Sequence, residues 1–405
     1  MTPDLVIANA RLPGVAMPMD VALADGRIAG IAPQIVSDAP RHDARGALLV
    51  PGFVECHIHL DKAGILDRAS IVEGTLPEAV RETARLKAGF TVEDVHARAS
   101  AVVRQAISHG TMAMRTYVEV DPRAGLRSFE AIKAVRAEFA SSIDIEICAF
   151  AQEGLTNEPE TQALLETALA DGADLVGGCS YTDPDPVEHI RRIFALAERF
   201  GVAADFHVDF DLVPTGSDLP AILAEMERRR WQGPVACGHA TKFSTWAPAE
   251  RDAMADRLAA AGVGVVALPA TDLFLLGRSA ETLVPRGVAP LMALAARGVV
   301  TAVATNNVLN PFTPYGDVNL LRMANLFANV AQLARDDDLD AAFAMIGARP
   351  AQLLGRQHAL SVGAAADLIL LDATSGSDAV RRCAPALAGW KRGRLSFERP
   401  APILR

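Results

Sequence analysis

Basic residues are not in excess in this sequence. Its 405 residues include 39 lysines and arginines against 49 aspartates and glutamates, which gives a formal net charge of −10. The basic residues are scattered along the chain. A protein that binds nucleic acid needs a concentrated basic surface and usually a recognisable motif. The sequence therefore excludes nucleic acid as an expected partner.

Long apolar runs and a leader pattern are also missing. The longest apolar runs, such as residues 259–270, are shorter than the roughly 20 residues that a membrane span requires. Residues 1–7 contain no basic region followed by an apolar core, so no signal peptide is expected. We therefore expect a cytoplasmic protein that does not bind a membrane.

Cysteine is scarce, with five residues in the chain, and no two of them form a CxxC pair. An odd number of widely spaced cysteines argues against a disulfide framework. Buried thiols in a reducing compartment are the better interpretation.

Short runs rich in valine, isoleucine and alanine are plentiful, and a longer amphipathic stretch follows each of them. The runs predict eight strands, near 50–58, 112–120, 144–152, 173–179, 202–209, 234–239, 262–269 and 299–305. Two of the intervening helices have clear start signals, at Thr75 with Pro77 and Glu78, and at Thr91. Eight repeats of strand and helix predict an α/β fold, a (β/α)₈ barrel.

The two ends of the chain have a different pattern. Residues 4–33 contain short strands around an Asp25-Gly26 turn, and residues 365–372 and 390–394 again predict short strands with turns. We predict one small β-sandwich domain built from residues 1–50 and 356–405. Residues 51–355 are then the barrel.

Four histidines fall at the ends of predicted strands. His57 and His59 are two residues apart, so on a strand their side chains point to the same side. His207 and His239 end two later strands, and the carboxyl ends of barrel strands share one face. Together they predict a site for one divalent metal, zinc or iron. The alternative for each is a hydrogen-bonded histidine at the rim.

The remaining five histidines lie in predicted turns or helices. These five are His42, His96, His109, His189 and His358. We expect each of them to be solvated or to cap a helix.

Several segments resemble the amidohydrolase superfamily. They are the Pro-Gly-Phe-Val-x-x-His-x-His pattern at 51–59, the two later strand-end histidines, and the segment 365–372. Residues 74–76, 115–120, 149–154 and 275–278 narrow the resemblance to the cytosine deaminase and N-isopropylammelide amidohydrolase clade, over nearly the whole chain.

The resemblance implies a role for particular residues. The positions that match the metal ligands of the clade are His57, His59, His207 and Asn306. His239 matches a histidine that contacts the attacked group, and Gln152 matches a glutamine that hydrogen-bonds a ring substrate. Relatives commonly form multimers, so the resemblance also implies a homo-oligomer.

Two positions depart from the pattern of the clade. Asn306 stands where the family has an aspartate, and Phe210 stands where cytosine deaminases have a glutamate. The aspartate and the glutamate of the family can each carry a proton, and hydrolysis requires such a proton carrier. Asp209 follows His207 at a spacing of two, so we predict that it is the substitute base. The alternative is a loop charge or a group that orients a ligand.

Candidate substrate-binding residues lie near these positions. The polar segment 306–317 contains Asn307, which could bind a small polar ligand, and Phe312, which could pack on a planar ring. A rigid, proline-pinned connection is the alternative. Lys62 closely follows the first histidine pair and is a further candidate.

The sequence therefore predicts a metal-dependent hydrolase that acts on a C–N bond of a small nitrogen heterocycle, by deamination or by amide or amidine hydrolysis. Tyr117 replaces a histidine of deaminase relatives, so cytosine itself is not the expected substrate. The alternative is a catalytically degenerate relative that binds a small molecule or a partner without turnover.

Overall fold

The computed structural model describes residues 2–400. Its strands are β1 (Leu5–Ala10), β2 (Met19–Ala24), β3 (Arg27–Ala32), β4 (Arg41–Asp43), β5 (Leu48–Pro51), β6 (Phe53–Ile58), β7 (Thr111–Glu119), β8 (Asp144–Ala151), β9 (Leu175–Cys179), β10 (Ala203–Val208), β11 (Val235–His239), β12 (Val263–Ala267), β13 (Thr301–Val303), β14 (Leu368–Leu371), β15 (Ala386–Lys391) and β16 (Arg394–Glu398).

The α-helices alternate with the strands in the middle of the chain. They are α1 (Leu76–Lys87), α2 (Val92–Ser108), α3 (Arg127–Glu138), α4 (Pro159–Ala170), α5 (Pro186–Phe200), α6 (Leu219–Arg229), α7 (Pro248–Ala261), α8 (Pro269–Leu275), α9 (Leu291–Ala296), α10 (Leu320–Val330), α11 (Asp336–Ala344), α12 (Ala348–Leu353) and α13 (Gly376–Arg382). Across residues 2–400, no helix has both the length and the apolar character that crossing a membrane would require.

The predicted barrel is confirmed. Strands β6 to β13 form one parallel sheet in chain order. A bridge between Ile58 and Asn306 joins its first strand to the residues after its last strand. The carboxyl ends of all eight strands therefore surround one opening, which is the usual place for the chemistry of this architecture.

The first predicted strand is divided in two, which corrects the prediction of one strand near 50–58. Its first part, β5, pairs with β14 of a different sheet, and its second part, β6, begins the barrel. The chain crosses between the sheets at Gly52, where a Cβ atom would lie 2.5 Å from Cγ of Met112. The apolar run continues through this position because both sheets bury their residues, so hydrophobicity alone does not mark the break.

The predicted helix starts are confirmed. The hydroxyl of Thr75 accepts a hydrogen bond from the backbone N–H of Glu78, and the hydroxyl of Thr91 accepts one from Asp94. These side chains satisfy N–H groups that the first turns of α1 and α2 leave without a partner in the helix.

Two four-stranded sheets lie at the ends of the chain. One has the order β3-β2-β1-β4 and the other β16-β15-β14-β5. Ile7 and Val21 of the first sheet share a core with Leu49, Leu368 and Trp390 of the second. The two sheets thus form a small β-sandwich from both ends of the chain, while its division from the barrel at residues 50 and 356 stays a prediction.

A buried lysine ties this sandwich to the barrel. Lys391, at the end of β15, is 1% exposed. Its Nζ lies 2.6 Å from Asp367 and 2.8 Å from Asp144, which begins β8 of the barrel. It also donates to the backbone carbonyl of Met112. One ammonium group therefore satisfies three acceptors from two layers of the fold.

We expect Lys391→Met to lower the free energy of unfolding by about 2 kcal/mol, because it removes the buried ammonium donor that Asp144, Asp367 and the carbonyl oxygen of Met112 share. Urea unfolding followed by circular dichroism measures this change. Lys133→Met is the matched control, because Lys133 pairs with Asp171 at the exposed surface, and its cost should stay below about 1 kcal/mol. Equal costs for the two variants would contradict the role of Lys391.

Candidate functional site

Three of the four strand-end histidines meet inside the barrel mouth. His57 is the next-to-last residue of β6, His59 is the first residue after that strand, and His207 lies on β10. Nε2 of His207 is 2.8 Å from Nε2 of His57 and 3.1 Å from Nε2 of His59. The three atoms can act as ligands of one ion, and all three residues are buried. The sequence prediction of their convergence agrees with this geometry.

Burial lowers the pKa of His57, His59 and His207 well below the usual value of histidine, and the nearby positive charges act in the same direction. The rings are therefore neutral, which is the form that binds a metal. Among residues 2–400, no hydrogen-bond partner is found for their Nδ1 atoms. Aromatic packing holds them instead, with Tyr117 4.2 Å from His57 and Phe150 4.3 Å from His207 between ring centroids.

Asn306 lies beside the histidines with an unused amide oxygen. Its Nδ2 donates to the hydroxyl of Thr271 at 3.1 Å, while its buried Oδ1 has no partner among residues 2–400. Its backbone is left-handed, with φ of 64°, a conformation that asparagine tolerates better than most residues. Three neutral imidazoles and a free amide oxygen fit a divalent ion, although this set carries no negative charge.

His239 is paired with a carboxylate that the sequence analysis missed. Its Nδ1 lies 2.7 Å from Oδ1 of Asp272, which is buried on α8, one strand further round the barrel. Burial raises the pKa of Asp272, and its hydrogen bond to His239 acts against that rise. A carboxylate at Nδ1 fixes the imidazole so that Nε2 faces the site. The sequence contained a signal for this carboxylate, because Asp272 closely follows the strand predicted near 262–269.

A small cavity lies at this place in the barrel mouth. The cavity is lined by His59, Lys62, Gln152, Tyr181, His207, Phe210, His239, Thr271, Asn306, Asn307 and Phe312. The ring of Phe210 lies 4.0 Å from the ring of His239, between centroids. An apolar ring therefore occupies the position at which the resemblance implies a glutamate.

Asp209, the predicted substitute base, lies outside the cavity lining. Its carboxylate accepts hydrogen bonds from the hydroxyl of Ser217 and the backbone N–H of Asp218, and it is absent from the cavity lining. The backbone at Asp209 is left-handed, with φ of 54°, because the strand has ended, so the expected spacing of two no longer applies. Its position favours the alternative of a structural loop residue.

The predicted substrate-binding residues do line the cavity. Nζ of Lys62 lies 3.3 Å from Oε1 of Gln152 and 4.5 Å from the ring centre of Phe312. Asn307 contributes its amide, whose oxygen accepts a hydrogen bond from Asn310. Asn310 in turn accepts hydrogen bonds from the backbone of Phe312 and Thr313. The segment is thus a rigid loop that also faces the ligand space.

An ionic network behind Lys62 was not predicted. Glu119, at the end of β7, binds Nζ of Lys62 at 2.5 Å and Nζ of Lys87 at 2.8 Å. Lys87 also pairs with Asp121 and Glu153. Burial acts to raise the pKa of Glu119, but the two ammonium groups outweigh it and lower that pKa to about 2. Glu119 is therefore ionised and fixes Lys62 at the cavity wall.

Two other histidines differ from the prediction of solvated or capping residues. His189 is fully buried, and its Nδ1 lies 3.0 Å from Asp183. His358 packs at the foot of the barrel, where its Nε2 lies 3.0 Å from the carbonyl oxygen of Gly52. Both have structural contacts away from the cavity.

Known proteins resemble the chain over almost its whole length. A pterin deaminase of Rhizobium rhizogenes is 30% identical over 397 residues, which cover 93% of this chain and 90% of that protein. The N-isopropylammelide isopropyl amidohydrolase of Pseudomonas sp. (strain ADP) is 27% identical over 97% of this chain and 96% of that protein. The crystal structure of 5-methylcytosine deaminase from Klebsiella pneumoniae, liganded with 5-fluorocytosine, superimposes with a TM-score of 0.93 at 30% identity, and the match covers 99% of each chain.

The model of the amidohydrolase family matches residues 94–397. The relatives agree with the predicted cytosine deaminase-like clade. With its parallel barrel and the histidine cluster at the barrel mouth, this chain is a hydrolytic enzyme that belongs to the amidohydrolase family.

Proposed function

We propose that the enzyme is a metal-dependent hydrolase that cleaves a C–N bond of a small nitrogen heterocycle, by deamination or by amide or amidine hydrolysis. The observation that carries the proposal is the convergence of Nε2 of His57, His59 and His207 beside the small cavity at the barrel mouth. The deaminases and the amidohydrolase among the relatives support the same reaction class.

The three histidines would hold one divalent ion, zinc or iron, with Oδ1 of Asn306 as a neutral fourth ligand. When bound, such an ion supplies Lewis acidity, which makes water nucleophilic near neutral pH. Asn306 cannot take a proton, unlike the aspartate of the family, so another residue has to do so.

His239 is our candidate for the proton carrier. Asp272 accepts the hydrogen bond from Nδ1–H of His239, so that Nε2, which has no hydrogen-bond partner among residues 2–400, is left for the cavity. That nitrogen can take a proton from the attacking water and return it to the leaving nitrogen. The packed ring of Phe210 keeps bulk water away from the imidazole.

Four residues would position the heterocycle. The amide of Gln152 and the ammonium of Lys62 offer hydrogen bonds to ring nitrogens or carbonyl oxygens, and Asn307 offers a further amide. Phe312 gives an apolar face for a planar ring. Holding the ring in this way lowers the entropic part of the barrier.

The second candidate is a degenerate binding protein. It is favoured by Asn306 and Phe210, which occupy the positions of the two family carboxylates.

Metal content and turnover separate the two candidates. We expect the purified protein to hold about one divalent ion per chain and to release ammonia or an amine from some pyrimidines, triazines, pterins or cyclic ureas. His57→Ala should abolish both properties, because it removes one of three ligands. His96→Ala is the control, because His96 pairs with Glu138 on the helical surface. Binding without metal or turnover would favour the degenerate protein.

Gly238→Ala tests the placement of His57 without removing a ligand. A Cβ atom at Gly238 would lie 2.4 Å from Cε1 of His57, so the imidazole would have to move. We expect metal affinity to fall about 10- to 100-fold, as when the support of a ligand is lost. A chelator titration measures it. Gly30→Ala is the control, because its nearest neighbours lie 4.0 Å away, and an equal loss there would refute the explanation.

Asp272→Asn tests the proton carrier. An asparagine no longer fixes the tautomer of His239, so kcat should fall about 10²- to 10⁴-fold while KM changes little. Steady-state kinetics on the substrate found above measure both constants. Asp209→Asn provides the comparison, and its kcat should stay near that of the unmodified enzyme. A large loss in Asp209→Asn alone would restore Asp209 as the base.

A further inference from the structure

The side-chain amides of Gln152 and Asn307 both line the cavity. The two ends of an amide have nearly the same shape, but the oxygen accepts hydrogen bonds and the nitrogen donates them. The partner behind each amide therefore decides which end faces a ligand. For both residues that partner permits one orientation.

Lys62 fixes the amide of Gln152. Nζ of Lys62 lies 3.3 Å from Oε1 of Gln152. An ammonium group has only N–H donors, so the oxygen of the amide has to face it. The ion pair with Glu119, 2.5 Å from Nζ, keeps this ammonium charged and in place. The NH₂ group of Gln152, for which no acceptor is found among residues 2–400, is left for a ligand.

Asn310 fixes the amide of Asn307 in the same sense. Oδ1 of Asn310 accepts the backbone N–H groups of Phe312 and Thr313, at 3.0 and 3.1 Å. Because these groups only donate, the nitrogen of Asn310 points the other way and donates to Oδ1 of Asn307 at 2.7 Å. The NH₂ group of Asn307 is again the end left for a ligand. Asn310 is fully buried and does not line the cavity.

The acceptors of the lining lie at the histidine cluster instead. Nε2 of His239 and Oδ1 of Asn306 accept no hydrogen bond from residues 2–400. The hydroxyls of Tyr181 and Thr271 can donate or accept, so they favour neither kind of ligand group. The two fixed amides, here called the donor pair, therefore differ in hydrogen-bonding character from the reaction end of the cavity.

We propose that Lys62 and Asn310 are positioning residues that set the specificity of the enzyme, because they turn the donor pair toward the ligand. The selected heterocycle carries acceptors, either carbonyl oxygens or unprotonated ring nitrogens, on the edge that faces the donor pair. An amino group on that edge would place N–H against N–H and leave both groups without an acceptor, which costs more than a missing contact. This inference rests on the proposed function for the reaction and adds which ring edge the site accepts.

Rings that differ in one oxo group test the preference. Cytosine and isocytosine each carry one oxo and one amino group, whereas 2,4-diaminopyrimidine carries two amino groups, and at mildly alkaline pH all three are largely neutral. Pterin and 2,4-diaminopteridine form a second pair of the same design, compared at slightly acidic pH. Calorimetric titration of the full-length protein measures the affinities, and chromatography afterwards verifies that the ligands are intact. In at least one series we expect the better oxo ligand to bind about tenfold more tightly than the diamino ring.

Asn310→Asp tests the positioning role from outside the cavity. The carboxylate can still accept the N–H groups of Phe312 and Thr313, but its second oxygen cannot donate to Asn307. The amide of Asn307 should then turn its nitrogen toward position 310 and its oxygen toward the ligand. We expect the ratio of oxo to diamino affinity to fall about tenfold or to reverse. A purely structural role would weaken all ligands together and leave the ratio unchanged.

Asn325→Asp is the matched control for this substitution. Asn325 donates to the backbone carbonyl of Val380 and does not line the cavity. Its variant should keep the ratio of the unmodified protein. Thermal melts verify that both variants are folded.

Gln152→Glu tests the orientation that Lys62 imposes. One carboxylate oxygen still faces the ammonium of Lys62, while the other replaces the NH₂ group with an acceptor. Gln152→Met is its control, because the side chain has a similar length and no N–H donor. The ratio of oxo to diamino affinity should be about tenfold lower in Gln152→Glu than in Gln152→Met.

Equal affinities for oxo and diamino rings in both series, or no binding of any of these ligands at millimolar concentration, would overturn the inference. So would an unchanged ratio in folded Asn310→Asp. If that variant does not fold, equal ratios in Gln152→Glu and Gln152→Met overturn it. A failure of the proposed function is separate, because binding is measured without turnover. An oxo preference that depends on Asn310, in a protein without hydrolytic activity, would refute the reaction and leave the inference standing.

Discussion

Closure of the barrel between its first and last strands is the constraint on which the site depends. The backbone N–H of His59 donates to the carbonyl oxygen of Asn306, and the N–H of Asn306 donates to the carbonyl oxygen of His57. One carboxylate, Glu55, accepts the N–H groups of His57 and Thr305, which are on opposite sides of this junction. These bonds bring together His57, His59 and Asn306, from two parts of the chain that lie about 250 residues apart.

The charges at the barrel mouth are arranged in layers around that junction. Neutral imidazoles and an amide face the cavity, while the buried carboxylates stand behind them, each with a donor: Glu119 with Lys62 and Lys87, and Asp272 with His239. A buried carboxylate is tolerated only when it is paired or protonated, so this separation keeps negative charge out of the ligand space.

Local patterns predicted much of this structure. The alternation of strands and helices predicted the barrel, and the start signals at Thr75 and Thr91 predicted the first residues of two helices. The spacing of His57 and His59 predicted that their side chains converge. The same local rules failed where a strand ended. The left-handed backbone at Asp209 turned its carboxylate away, and the apolar run through Gly52 hid a change of sheet.

The sequence by itself determined the fold and the residue types available for chemistry, because hydrophobic period and strand-end histidines are short-range properties. The tertiary structure decided which groups work together. Asp272 contacts His239, which is 33 residues away in the chain, and Glu119 contacts Lys62, which is 57 residues away. The periodic pattern of hydrophobic residues does not predict such long-range contacts. Packing also decided which charges face the ligand, since a charge is placed by the partners that surround it once water is excluded.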